Sequence, residues 1–334
     1  MNPHLQLSPE VLNAISKHDG PAANELEAKG VSGGYSRNVR MLYGHGDRWV
    51  FVKKVDHDVL PDDGTRELNW LRKDYTVIQL LRQKCPDIVP EWAELLDDGH
   101  TLLLPAYRAE DGWMWSPPTE EAELESYIDA IIARTVELEG VQLDTDEQKR
   151  LQTEPYFRDK LALDDGYDMV INDPEVREKL KQKYTELLSG RLNDQVREAI
   201  HRMVLVIDDM DQLNSLARKA KSFIEQPNDA LGHCDVRSDN IAHNVRTGET
   251  RFVDWNWTSY TPKSMGATEF LVDMARRGVN VEKWVGHLNL DMLAAVVGFY
   301  LKRCLEEPLA PGNTLREVQA ESAAITLMLY ELVS

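Results

Sequence analysis

The segment from Leu231 to Trp257 constrains the fold of this 334-residue chain more tightly than any other. It opens with Leu231-Gly232-His233-Cys234-Asp235-Val236-Arg237-Ser238-Asp239-Asn240-Ile241. Ala242 to Val245 follow, then Arg246-Thr247-Gly248-Glu249, then Thr250 to Val253 ahead of Asp254-Trp255. Two short runs around a turn with glycine predict a β-hairpin preceded by a polar loop. A hairpin folds the chain back on itself, so Asp254 is expected beside Asn240 although the two are distant in sequence.

The chain on either side differs in texture. Before Tyr107 it reads as short strands and turns. Arg40 to Tyr43 and Arg48 to Val55 flank Gly44-His45-Gly46-Asp47, and Glu94 to Leu96 and Thr101 to Leu104 flank Asp97-Asp98-Gly99-His100. Both pairs carry a hairpin signal. Between them, Leu71, Tyr75, Ile78 and Leu81 or Leu80 recur at helical spacing from about Leu68 to Gln83. After Tyr107 the pattern turns helical. Pro117-Pro118-Thr119 precede acidic residues and a periodic run to Leu138, with Gly140 past its end. Further helices are predicted over about Pro174 to Leu188, Asn193 to Ile224, Ala267 to Arg277, Leu290 to Leu305 and Leu315 to Leu332.

Apolar residues make up 42% of the chain, enough for a large core, yet no apolar run is long enough to span a membrane. Met292 to Leu301 is expected to be a buried helix. No secretory signal is read at the start. Cys85, Cys234 and Cys304 are widely spaced and form neither a metal pattern nor a disulfide framework, so a reducing cytoplasm is expected. The 57 acidic against 38 basic residues, a formal charge of −19, argue against binding nucleic acid or anionic lipid. Such a surface keeps a protein soluble and would also favour a cationic small molecule.

The Leu231–Trp257 pattern matches what phosphoryl transfer requires. That chemistry uses a carboxylate to align the attacking hydroxyl and oxygen ligands to hold Mg²⁺ on a triphosphate. Asp235 suits the first task, and Asn240 and Asp254 the second. Arg237, two residues past Asp235, would offset charge on the moving phosphoryl group. His233 is expected to bond backbone and shape the loop. The plainer alternative is that Asp235, Asn240 and Asp254 are turn residues, which Asp and Asn favour.

His-x-Asp-x-x-x-x-Asn, a hairpin, then apolar-apolar-Asp resembles the aminoglycoside phosphotransferase and choline kinase superfamily, and within it the bacterial aminoglycoside-phosphotransferase-like branch. Cys234 stands where many relatives have glycine. The resemblance implies an α+β, bilobal protein-kinase-like fold: a small β-rich nucleotide-binding N-lobe over 1–104, and a larger helical C-lobe over 105–334. The C-lobe would hold the catalytic loop, metal site and acceptor pocket. It implies Mg²⁺ as cofactor and ATP or GTP as co-substrate. The glycine-rich Gly30-Val31-Ser32-Gly33-Gly34-Tyr35-Ser36-Arg37-Asn38 is the candidate phosphate loop, with Gly33, Gly34 and Ser36 meeting the nucleotide. By the family's apolar-apolar-Lys pattern Lys53 holds the phosphates, while Lys54 faces the other way. Asp74 takes the place of the acid that fixes this lysine, with Glu67 as the alternative. Pro105 and Tyr107 lie in the stretch that would meet the adenine edge, although Pro105 lacks an N–H.

Asp164, Asp165, Asp168 and Glu269, with Trp113, Trp115, Trp255 and Trp257, offer carboxylates and aromatic faces suited to an amine or sugar acceptor. One of Trp255 and Trp257 is expected in the core. No sequence between Trp257 and Gly266 resembles an activation loop, which disfavours a protein substrate, and nothing points to an obligate protein partner. The rival in a different class is a kinase-like module that has lost catalysis and acts by binding.

Overall fold

The computed structural model describes residues 7–19, 26–31, 38–55, 64–151, 158, 161, 166–308 and 312–334. They form two compact units. One comprises Met1–Ala130, Leu143–Leu151 and Asp239–Thr258, the other Ile131–Gln142, Gln152–Ser238 and Ser259–Ser334.

The described helices are α1 (Pro9–Asp19), α2 (Thr65–Leu81), α3 (Glu121–Glu139), α4 (Thr145–Leu151), α5 (Tyr167–Asn172), α6 (Pro174–Leu188), α7 (Asp194–Asp208), α8 (Met210–Glu225), α9 (Met265–Arg276), α10 (Leu290–Arg303) and α11 (Leu315–Val333). The strands are β1 (Glu27–Gly30), β2 (Val39–His45), β3 (Arg48–Lys54), β4 (Glu94–Leu96), β5 (Thr101–Pro105), β6 (Trp113–Met114), β7 (Ala230–Gly232), β8 (Ile241–Asn244), β9 (Thr250–Phe252) and β10 (Ser259–Thr261).

In the first unit β1, β2, β3, β5 and β4 form one antiparallel sheet in that order. Alternation along β3 divides its side chains between two faces. Val50 and Val52 join Met41, Tyr43 and Leu103 under Val11, Ala14 and Ile15 of α1. Lys53 points the other way, toward Asp74 of α2. Helix α2 starts after Gly64, whose φ of 65° suits glycine, and buries Leu71, Val77, Ile78 and Leu81 along one stripe. The predicted hairpin over 241–253 forms as β8 and β9, pairing Ile241 with Phe252. Asn244 Oδ1 accepts from the N–H groups of Arg246 and Thr247 to hold its turn.

The second unit is mainly helical. Helix α10 packs on α8 and α11, and α11 on α7. Met292 to Gly298 and Leu301 are all buried, as the apolar run predicts. Gly166 donates its N–H to the Gly298 carbonyl, and a Cβ at Gly166 would lie 2.6 Å from that oxygen, so only glycine allows the approach. The single helix expected over Asn193 to Ile224 is two. Asp209 adopts φ −93° and ψ 93° and caps α8 by accepting the Gln212 N–H at 3.0 Å, and this local bond replaces helix continuation.

Candidate active site

In the first unit, Lys53 on β3 is only 4% exposed. Its Nζ donates to Asp254 Oδ1 at 2.6 Å and to Asp74 Oδ2 at 3.2 Å. Burial alone would drive the ammonium pKa down. The charges of Asp254 and Asp74 overcome it and hold the pKa above the usual lysine value. Asp74 is itself buried, and burial holds its carboxyl above the usual range against the pull of Lys53. The second oxygen of Asp74 accepts the Trp255 N–H at 3.0 Å. One carboxylate thus fixes both the lysine and the backbone that follows Asp254. Glu67, the alternative, is buried about two turns earlier, with Oε1 on Arg66 at 2.9 Å.

Asp254 has a φ of 65°, a left-handed conformation that costs roughly 1–2 kcal/mol in a residue with a Cβ. Its Oδ1 also accepts from Asn256 Nδ2 at 3.2 Å. Asn240 is buried, and its carbonyl accepts the Val253 N–H at 3.0 Å, so the hairpin sets Asn240 across from the residue before Asp254. An amide oxygen and a carboxylate are hard donors of the kind Mg²⁺ takes. Among the described residues no three His, Cys, Asp or Glu side chains cluster to hold a metal. A Mg²⁺ that draws most of its ligands from phosphate and water needs only one or two from protein, so Asn240 and Asp254 fit it.

Gly33, Gly34 and Ser36 lie outside the described residues. Pro105 ends β5 opposite Val50. Tyr107 is buried, with its hydroxyl on Glu91 at 2.8 Å and its ring 4.4 Å from that of Trp113. The Tyr107 carbonyl accepts the Trp115 indole N–H at 2.9 Å, so this oxygen is engaged within the protein. Trp255 is fully buried, while Trp257 is partly exposed and sits 5.7 Å from Trp70.

The second unit carries the loop from His233 to Ser238. Cys234 has a φ of 64°, which gives a physical reason for glycine at this position in other proteins with the motif. Arg237 Nε lies 3.0 Å from Asp235 Oδ1, and Nη2 3.4 Å from Oδ2, so the guanidinium is engaged with the neighbouring carboxylate. Helix α9 lies along the loop. Glu269 and Asp273, four residues apart on one face, accept the N–H groups of Val236 at 3.1 Å and Ser238 at 3.0 Å. The Ser238 hydroxyl adds a bond to Asp273 at 2.7 Å. Burial would raise the Asp273 pKa, but Arg277 and Arg276 outweigh it and hold the carboxyl below its usual value. Glu269 has no such excess of cations. Burial, with the charge of Asp235 added, pushes its pKa up to about 8. The same surroundings, burial first, take Tyr300 up to about 12.

Asp273 escaped the sequence reading, and Glu269 drew notice only as one of several spare carboxylates. Arg276 and Arg277, at i+3 and i+4 from Asp273, are the signal that marks it on a predicted helix. By sequence pattern alone Arg40 is only a strand residue. Asp168 is exposed on α5, and Asp164 and Asp165 lie outside the described residues.

No family model and no curated protein matches the chain. Solved structures do. It superposes on a GDP and kanamycin complex of APH(2")-IIia with a TM-score of 0.50 at 15% identity, covering 97% of this chain and 98% of that one. It superposes on choline kinase LicA from Streptococcus pneumoniae with a TM-score of 0.50 at 12% identity, covering 94% and 97%. The chain has the aminoglycoside-phosphotransferase and choline-kinase fold. The kinase-like architecture expected from the Leu231–Trp257 motif is therefore borne out, as is the kinship in fold with these enzymes. Among the described residues no helix is long and apolar enough to cross a membrane.

Proposed function

We propose that this protein is a Mg²⁺-dependent phosphotransferase that moves the γ-phosphoryl of ATP or GTP to a hydroxyl of a small molecule. The observation that carries this function is the buried Lys53 held between Asp74 and Asp254. Burying a lysine with two carboxylates costs several kcal/mol per ion before their mutual attraction, and a fold gains little stability from it. A perturbed, desolvated charge cluster of this kind is the mark of a working site. The fold shared with APH(2")-IIia, seen with GDP and kanamycin, and with choline kinase LicA adds support.

Lys53 would donate to phosphate oxygens from a position fixed by Asp74. Asn240 and Asp254 would hold Mg²⁺, which would supply positive charge against the phosphates. Asp235 would accept the acceptor's hydroxyl hydrogen and align its oxygen for attack. Arg237, with its Nε 3.0 Å from Oδ1, would orient that carboxylate. Glu269 and Asp273 hold the loop backbone that carries Asp235. Residues 1–104 would form the nucleotide lobe and 105–334 the lobe that carries the catalytic loop. A cationic acceptor suits the formal charge of −19, and the cytoplasm suits three buried free cysteines.

The test is thermal unfolding with Mg²⁺ and ATP or GTP, followed by turnover with a panel of amino sugars, amino alcohols, sugars and macrolides. A nucleotide that binds only the folded state raises Tm by about 2.7 kcal/mol worth of stability at a hundredfold excess over Kd. The expected result is a Mg²⁺-dependent shift that disappears in Asp254→Ala. Absence of any shift at saturating nucleotide would overturn the function and favour a module that acts by contact alone.

A further inference from the structure

We propose that Arg40 is a second phosphate-binding cation of the nucleotide site, acting beside Lys53. This role presupposes the nucleotide-dependent function proposed above.

Strand register supplies the first reason. Arg40 on β2 stands directly opposite Lys53 on β3. Opposed residues of an antiparallel pair project to the same face, with Cβ atoms roughly 4.5–5.5 Å apart. That face carries Lys53 to Asp74 and Asp254, whereas Val52 and Val50 point to the apolar face under α1. Arg40 therefore shares the lysine's side of the sheet. Its guanidinium is partly buried and interacts with the charges of Asp254 and Asp239.

Charge accounting supplies the second. Lys53 is shared between two carboxylates, so the trio of Lys53, Asp74 and Asp254 carries surplus negative charge when all three are ionised. Such a trio does not by itself attract a polyphosphate. Two of the three ammonium hydrogens are already directed at Asp74 and Asp254. A guanidinium adds a permanent positive charge and several donors in a planar fork, which suits paired phosphate oxygens.

Local structure supplies the third. A half-buried arginine directly across from a buried lysine is an unfavourable like-charge pair, and the charge of Arg40 works against that of Lys53. Sheet packing alone would be better served by an apolar residue there. Asp254 and Asp239 offset this repulsion in the protein without ligand, and the guanidinium kept there supplies a cation beside Lys53 for phosphate.

The experiment compares wild type, Arg40→Gln and Arg40→Lys by calorimetric titration with Mg-ATP, ADP and adenosine. Ligand-free unfolding curves report whether each variant is folded. The expected result for Arg40→Gln is a loss of at least about tenfold in affinity for Mg-ATP and ADP, with adenosine unchanged. Arg40→Lys restores part of the loss, because it keeps the charge without the fork. If Arg40→Gln does not fold, Arg40→Lys decides: a severalfold loss for Mg-ATP and ADP with adenosine unchanged supports the role, and wild-type affinity overturns it. Equal weakening of ATP and adenosine assigns Arg40 to structure and also overturns it. Wild-type protein that binds no Mg-ATP refutes the nucleotide function itself, whereas wild-type binding with an unaffected Arg40→Gln refutes the Arg40 role alone.

Discussion

Glu269→Gln should make the protein progressively more stable than wild type as pH rises. The Glu269 pKa moves from its ordinary 4.5 to about 8, through burial first and the charge of Asp235 second. Between these values the folded state holds a proton that the unfolded chain releases. An acid with a raised folded pKa therefore carries no penalty below 4.5 and loses stability as pH climbs toward 8. Each pH unit inside that window corresponds to at most about 1.4 kcal/mol, so the full span approaches roughly 5 kcal/mol. Glu269 is mostly buried but keeps some exposure to solvent, which reduces the change between pH 5.5 and 7.5 to about 1–2 kcal/mol. Glutamine keeps an oxygen for the Val236 N–H, so that bond is retained while the ionisation is removed. Urea unfolding of both proteins at pH 5.5, 6.5 and 7.5 measures the effect, and groups common to the two cancel in the difference. A difference that stays flat with pH, or shrinks as pH rises, would refute the placement of Glu269 as a largely protonated neighbour of Asp235.

Three further outcomes follow from the same geometry. Asp235→Ala should lower kcat by about 10²–10⁴-fold with the KM for nucleotide little changed, measured in a coupled turnover assay once an acceptor is known. Asp74→Asn keeps an oxygen for the Trp255 N–H but leaves Lys53 with Asp254 as its only carboxylate of the pair; it should weaken Mg-ATP binding in a titration and change stability by about 1–3 kcal/mol in urea. At Cys234, with its φ of 64°, Cys234→Val should destabilise by about 2 kcal/mol or more, because a β-branched side chain tolerates the left-handed region least. Cys234→Gly should stay within about 1 kcal/mol of wild type, since relief of strain offsets the added freedom of the unfolded chain, and thermal melts of the two variants distinguish them.

Much of the fold was legible because its elements announce themselves locally. The hairpins of β2–β3, β4–β5 and β8–β9 lie between apolar runs and glycine-containing turns, and the sequence pattern located all three. The helices over 174–188 and 315–333 follow their apolar spacing to within a residue or two. The break at Asp209 was missed because Val206, Leu213 and Leu216 keep apolar periodicity across it. The stop signal, Asp209 with Gln212 three residues on, is a capping pattern that periodicity cannot reveal.

The candidate site divides along the same line. Residue type and spacing were enough to nominate Lys53, Asp74, Asp235, Asn240 and Asp254. They could not tell which acid reaches Lys53, because Asp74 and Glu67 both lie on buried positions of α2 and only the three-dimensional course of the helix separates them. Nor could they nominate Arg40, whose significance comes entirely from standing opposite Lys53. A slip of one residue in that pairing would turn Arg40 to the face packed by α1, among Val11 and Ile15, where a guanidinium has no anion among the apolar side chains of that cluster. Burying it there would cost several kcal/mol. The charge of Arg40 therefore helps to fix the strand register that delivers Lys53 to its two carboxylates, and the same residue connects how the sheet folds to what its charged face can bind.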